Sequence, residues 1–340
     1  VYEFTGIQGI RNAEVPKLVR AIQKQVLGNF RISGTILLKY LGAESRVVVP
    51  EGVTRIAEEA FAGNEAVDRV LLPESVREIG AEAFRDCLLL QTIRLPEGLV
   101  RIGPGAFENC VKLIRIHLPA GVTRLEERTF RRCQVLREIS FPEGFREIGE
   151  SAFYGCPALG KVAFPESLVS IGRMAFFRCG SLKEVRLPAG TEQVGSLAFA
   201  GSGVRRVRVC GSGRGFGTDV FGGCERLGTV VLEEGFLHLP DKFAFGCTAL
   251  TRAVLPKSLS SAGRHVWEGT PYLAACEDGQ EGAVFWDGRR LEGEVRLPAH
   301  IRIVAGGAFY GNDRVTEVFL PESVTWIGPA AFKGCSRLRK

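Results

Sequence analysis

Apolar and polar residues alternate along this chain in short bursts. In Arg115-Ile116-His117-Leu118 every second side chain is apolar, the signature of a strand with one face turned inward. Pro119 closes the strand, because it has no N–H to give to a ladder. A turn follows, as in Pro96-Glu97-Gly98 or Pro73-Glu74-Ser75, and then a second inward-facing pair, Val122 and Leu125. Glycine in many copies of the next slot predicts a tight bend. Ala83-Phe84 or Ala152-Phe153 then predicts one helical or 3-10 turn that drops an aromatic ring into the core.

The burst repeats. Phe61, Phe84, Phe107, Phe130, Phe153, Phe176 and Phe199 lie 23 residues apart, and the next step, to Phe221, is 22. The spacing of 23 returns through Ala244 and Trp267, and after an interval of 42 it resumes with Phe309 and Phe332. Other slots keep step with this marker: proline twelve residues later (Pro73, Pro96, Pro119), cysteine three later (Cys87, Cys110, Cys133) and glycine four earlier (Gly80, Gly103, Gly149). Chance does not phase-lock four columns over most of a chain. A unit this short cannot bury its own apolar side, so copies must stack and share one core. The fold expected is a right-handed solenoid of 23-residue coils, built from short parallel β-strands with short helical or 3-10 turns. At about 4.8 Å per strand, about twelve coils make a rod roughly 60 Å long.

The segment Leu72 to Cys87, which reads Leu-Pro-Glu-Ser-Val-x-x-Ile-Gly-x-x-Ala-Phe-x-x-Cys, resembles the BspA-like, or Treponema pallidum type, leucine-rich repeat. The resemblance runs from about residue 47 to residue 340. Phe30 to Gly42, leading to Val47-Val48-Val49-Pro50, resembles the family's interrupted repeats. So does Thr270-Pro271-Tyr272 followed by Val284 to Gly293 and then Val295-Arg296-Leu297-Pro298. The resemblance implies a leucine-rich-repeat solenoid from a bacterial surface or secreted protein, in a family some of whose members bind host or matrix proteins. It supplies no catalytic residues.

The columns lapse in places. Residues 200–218 lose one position and gain Gly211, Gly213, Gly215 and Gly217, with Cys210 near the expected proline. The unit at 241–247 carries Ala244 in the aromatic slot, between Phe243 and Phe245. Irregular units are therefore expected near 200–218 and 268–297, within a solenoid continuous over 30–340. Residues 1–29 lie outside the repeats. Val15, Leu18, Val19, Ile22 and Val26 share one helical face, with Pro16 near the first turn and Gly28 after the end, which predicts an N-terminal cap with one short amphipathic helix.

The chemistry of the side chains narrows the function. A net charge of +6 carried largely by arginine suits an acidic partner. Nucleic acid fits poorly, because the basic columns lack interleaved aromatics for stacking. No run of 18 apolar residues predicts a membrane span, and no signal peptide is visible at the N-terminus. The ten cysteines form no C-x-x-C pair, and eight recur once per coil in the slot that Asn64 and Asn312 fill elsewhere. They read as buried free thiols meeting neighbouring backbone, not as zinc ligands. Cys210 and Cys276 lie off this column and are the expected reactive or pairing thiols. So many free thiols would suit a reducing cytoplasm as well as a surface location. Four scattered histidines and a glycine run without G-x-G-x-x-G order predict no cofactor, metal or catalytic residue. A glycan-cleaving solenoid would need carboxylates clustered on one face, and no column of stacked Asp or Glu is expected outside the turns.

The outward strand positions are the informative ones. One column reads Arg69, Thr92, Arg115, Glu138, Lys161, Glu184, and the next Leu71, Arg94, His117, Ser140, Ala163, Arg186. The candidate partner-binding face comprises Arg69, Leu71, Arg94, Ile114, Arg115, His117, Lys161, Arg186, Arg206 and Arg208, with Arg205 continuing it. Arginine suits bidentate contact with carboxylates, so an acidic protein or an anionic glycan is the expected partner. The plainer alternative is a solvated strand surface. The expected function is a non-catalytic protein-binding scaffold, a bacterial surface or secreted protein of interaction or adhesion. The alternative is a structural spacer that presents another domain and has no ligand of its own.

Overall fold

The computed structural model describes residues 28–276 and 279–339. The helix expected over Val15 to Val26 lies outside the described residues. Within them the chain winds into a parallel β-solenoid held by three rows of hydrogen bonds. The first row joins strands such as Arg46–Val48, Arg69–Leu71, Thr92–Arg94 and Arg115–His117. The second joins two-residue strands such as Arg55–Ile56, Glu78–Ile79 and Arg101–Ile102. Pairing is parallel and in register with the repeat, so Glu138 faces Arg115 on one side and Lys161 on the other.

The third row runs through the aromatic turns. Phe61 N–H donates to the Ala83 carbonyl at 2.7 Å, and Phe84 N–H to the Ala106 carbonyl at 2.8 Å. The residues two before and two after the marker also donate to the next coil, Glu59 to Ala81 and Gly63 to Arg85. The amides between them turn back within their own coil, Ala60 to Ala57 and Ala62 to Glu59. This alternation needs a left-handed residue on each side of the marker, with φ of +53° at Glu59 and +69° at Gly63. The segment is therefore not the helical or 3-10 turn expected from the sequence. The slot two after the marker holds Gly63, Asp86, Asn109, Gly155, Gly201 and Gly223, residue types that tolerate φ above zero, with Arg132 and Arg178 as exceptions.

Inside, the marker rings stack on one another. Phe84 lies 5.3 Å from Phe107 at 1° between planes, and Phe61 lies 4.8 Å from Phe84. The column runs from Tyr40 to Phe221. At the next coil the order Ala-Phe becomes Phe-Ala. Ala244 keeps the marker's backbone bond, to Val266 at 3.0 Å, while Phe243 supplies the ring, edge-on to Phe221 and to Trp267. Volume is conserved, so the core stays filled.

The glycine column has a cause other than a bend. Gly80, Gly103, Gly149, Gly172 and Gly195 are absent from the positive-φ residues. Instead, a Cβ at Gly172 would lie 2.5 Å from the Glu150 nitrogen of the coil before, and one at Gly195 2.4 Å from the Arg173 nitrogen. Two occupants break the rule between regular coils, Glu126 and Pro240, and the second row of strands breaks at both. Arg101–Ile102 does not pair with Arg124–Leu125, nor Gly215–Phe216 with His238–Leu239. Glu126 brings a side chain where none fits. Pro240 lacks the N–H that Gly217 gives to the Val194 carbonyl at 2.7 Å. At Glu126 the first row breaks as well, between Thr92–Arg94 and Arg115–His117. The turn row continues there, with Phe107 N–H on the Thr129 carbonyl at 2.9 Å.

The two interrupted units share a construction. Phe30–Ser33 pairs antiparallel with Ile36–Tyr40, whose Ile36 and Leu37 join Arg55 and Ile56 in parallel. Likewise Gln280–Glu281 pairs antiparallel with Val284–Phe285, which joins Ile303 and Val304 in parallel. In each, a hairpin takes the place of the coil's second strand. The second unit begins at Thr270, which stands in the cysteine slot and caps the helix Pro271–Ala275 by accepting from Leu273 N–H.

Gly172→Ala should destabilise the fold by about 1–3 kcal/mol, the usual cost of overpacking, as read by denaturant unfolding. Glu126→Gly should do the opposite locally. It should join the two sheets and slow amide exchange at Arg124, and unchanged exchange would show that Glu126 does not cause the break.

Candidate partner-binding face

The strand face is laid out as two columns at coil spacing. Arg46, Arg69 and Thr92 follow one another in register, as do Val48, Leu71 and Arg94. Arg115, Glu138 and Lys161 continue the first column, with His117, Ser140 and Ala163 beside them. Glu184, Arg206, Thr229 and Arg252 extend it, with Arg186, Arg208, Val231 and Val254 alongside. Arg69, Leu71, Arg94, Arg115, His117, Lys161, Arg186, Arg206 and Arg208 are all exposed, because strand alternation turns their intervening valines and isoleucines inward. Ile114 does not join them. It precedes the strand and is half-buried, so it borders the face. From Arg69 to Arg206 the face spans roughly 29 Å, six steps of about 4.8 Å.

Much of its charge is neutralised locally. Arg94 pairs with Glu74 at 3.4 Å, Arg186 with Glu166 at 3.5 Å and Lys161 with Glu138 at 3.3 Å, and Arg208 pairs with Glu233. These pairs are exposed and hold their arginines only weakly. Among the described residues Arg46, Arg69, Arg115 and Arg206 have no ion-pair partner.

On the opposite side of the wall the cysteine column makes a ladder of its own. Cys87 donates through Sγ to the Phe61 carbonyl at 3.1 Å, Cys110 to Phe84 at 3.1 Å and Cys133 to Phe107 at 3.2 Å. Each thiol thus satisfies the carbonyl of a marker one coil back. Asn64 and Asn312 replace cysteine where the coil before is an interrupted one and offers a different acceptor. Asn64 Nδ2 reaches the Gly42 carbonyl at 3.0 Å, and Asn312 Nδ2 the Gly288 carbonyl at 2.8 Å.

The family profile described as BspA type leucine rich repeat region (6 copies) matches residues 37–159, 101–228, 146–274 and 284–340. This chain belongs to the BspA-type leucine-rich repeat family. A leucine-rich repeat protein of Bacteroides ovatus is 23% identical over 91% of both chains, with a TM-score of 0.57. A leucine rich cell surface protein of Faecalibacterium prausnitzii is 22% identical over 91% of both chains, with a TM-score of 0.51. The T. pallidum leucine-rich repeat protein is 33% identical over 59% of this chain and 88% of its own, with a TM-score of 0.48. No curated protein matches. Leucine-rich-repeat solenoids are generally non-catalytic scaffolds.

Two arrangements in this BspA-type protein were not anticipated from its sequence. Carboxylates do gather away from the proline turns: Glu126, Glu127, Glu147 and Glu150 line a groove of about 790 Å³ along the second row of strands. Three of them are committed to arginines, Glu126 to Arg101 at 3.0 Å, Glu127 to Arg128 at 2.9 Å and Glu150 to Arg173 at 3.3 Å. The repeat also brings His238 Nδ1 within 2.7 Å of Ser261 Oγ, residues 23 apart in sequence. Ser261 is buried, and Asp241, the nearby carboxylate, is engaged by Arg264 at 2.9 and 2.7 Å. Among the described residues no acid hydrogen-bonds the histidine, and burial lowers its pKa, so the pair forms a part-buried hydrogen bond. Both groupings were findable as positions one period apart. Among the described residues no helix is long and apolar enough to cross a membrane.

The thiols differ from expectation in one respect. Cys210 and Cys276 are half-buried and off the ladder, but neither is activated. Burial, then Glu281, pushes Cys276 from its usual 9.0 up to about 12, and burial, then Glu233, raises Cys210. In the ladder, burial pushes Cys87 and Cys156 from 9.0 up to about 12. The folded state therefore holds these thiols protonated where the unfolded chain would ionise them. Stability should be intact below pH 9 and fall as pH rises toward 12, because there the unfolded state binds fewer protons. Melting temperatures across that window should show the fall, and Cys87→Ala with Cys156→Ala should flatten its slope. A slope equal to wild type would remove the thiols as its cause.

Proposed function

We propose that this BspA-type repeat protein is a non-catalytic scaffold that binds another protein through its first-row strand face, as a secreted or surface-exposed protein of a bacterium. The observation that carries the reading is the exposed register of arginines at coil spacing, several of them without an internal counter-ion. Repeating basic positions on a rigid wall recognise an acidic surface with little loss of backbone freedom. The family and the surface protein of F. prausnitzii support an extracellular setting. An anionic glycan is a less complete match, because the face also carries exposed apolar side chains such as Leu71 and Val254.

Immobilised protein should retain a partner from extracts of host-cell surfaces. Arg94→Glu, Arg115→Glu and Arg186→Glu together should abolish that retention without changing the melting temperature. Retention equal to wild type would discard this face. A wild-type chain that retains nothing would leave only the role of a spacer.

A further inference from the structure

We infer that the strongest contact on this face lies at its N-terminal end, on Arg46, Val48, Arg69 and Leu71, and that it takes an extended polypeptide segment of the pattern acidic–x–apolar. The inference rests on the strand-face reading and narrows it to one place and one chemistry. Arg46 stands directly opposite Arg69, and Val48 opposite Leu71, on adjacent parallel strands. Like charges so placed repel at a spacing of about 4.8 Å. Elsewhere the wall avoids this or compensates it. Arg115 and Lys161 both face Glu138, and Glu184 faces Arg206. Arg186 does face Arg208, but each is paired to its own glutamate. Glu294 faces Glu317, and Glu294 pairs with Arg296 at 3.6 Å. Among the described residues Arg46 and Arg69 form the one like-charged pair of this row in which neither member has an ion-pair partner; off the row, Arg31 also faces Lys39 across the first hairpin, where Lys39 donates to the Glu59 carbonyl at 2.7 Å.

The neighbouring slots break a second local rule. Val48 is 46% exposed and Leu71 47%, side by side on strands whose outward positions are mostly polar. Violations of local rules that nothing compensates within the fold collect at functional sites. The two violations together describe their complement. A carboxylate between the two guanidinium groups removes the repulsion. An apolar side chain two residues away, about 6.6–6.8 Å along an extended chain, covers Val48 and Leu71. A glycan could satisfy the first requirement and not the second, so a polypeptide is favoured. The chain's own residues 1–27 carry two acidic and four basic side chains (Glu3, Glu14; Arg11, Lys17, Arg20, Lys24), so charge disfavours them as the occupant.

The test uses the full chain and a fluorescein-labelled peptide repeating Glu-Ser-Leu-Ser, whose glutamates and leucines share one face when extended. Anisotropy should show binding that weakens with salt and falls by about tenfold or more in Arg46→Glu with Arg69→Glu, as for a central arginine contact. Val48→Ser with Leu71→Ser should weaken it too, and repeats of Gln-Ser-Leu-Ser or Glu-Ser-Ser-Ser should bind less. Wild-type affinity in the Arg46/Arg69 variant would overturn the inference. If binding were then lost in the Arg94, Arg115 and Arg186 variant, the broader face would stand while this placement fell. Equal binding of Glu-Ser-Ser-Ser would refute the apolar half. A heparin fragment that displaces the peptide and is insensitive to Val48→Ser with Leu71→Ser would reassign the site to a glycan. Tighter peptide binding in Glu3→Lys with Glu14→Lys would mean that the N-terminal segment occupies it.

Discussion

The structure depends on one close approach, backbone against backbone from coil to coil. Three rows of hydrogen bonds set that approach, and each slot then meets its own copy. For apolar slots this is favourable, since a flat ring lies on a flat ring, as Phe84 does on Phe107 and Phe176 on Phe199. The same approach leaves no room for a Cβ at Gly172 or Gly195. It also sets the reach a side chain needs. A thiol suffices where a marker carbonyl lies one coil back, and an amide is used where the coil before is interrupted.

For charged slots the repetition is unfavourable, and the surface answers with alternation. Arg55, Glu78 and Arg101 succeed one another on the second row, with Glu78 bridging to Arg55 at 3.6 Å and to Arg101 at 2.6 Å. Arg131 reaches back to Glu108 at 2.8 Å in the same manner. Against this habit the uncompensated arginines at the N-terminal end of the first row stand out, and they direct attention to that end as the place where another molecule completes the pattern.

The period and the inward columns were legible in the sequence because stacking repeats the same demand every 23 residues, and a repeated demand leaves a repeated residue. The outward columns were legible for the same reason, down to which residues sit beside Arg115. Three things were not. The aromatic turn was misread because Ala-Phe resembles the start of a helix. The left-handed residues flanking it, Glu59 and Gly63 in one coil, are dictated by bonds to the next coil, and the one signal of them in the sequence is the column of Gly, Asp and Asn two residues after the marker. Glycine was assigned to bending when its role is clearance, a distinction that needs the neighbouring coil in place. Pairing of charges was invisible because Glu74, Glu166 and Glu233 lie in turns, and their reach to the strand depends on side-chain direction. That pairing separates the compensated arginines from Arg46 and Arg69.

The junction at Glu126 has a mechanical consequence. Between most coils a pull along the rod would be shared by three rows of bonds, but there both strand rows are interrupted, and the turns carry the load with little beside them except the Ile114 N–H on the Gln91 carbonyl at 3.3 Å and the Arg101–Glu126 pair. Tension between the rod's two ends would concentrate at that seam and open it first, leaving the coils before Glu126 and those after it to hold as separate blocks.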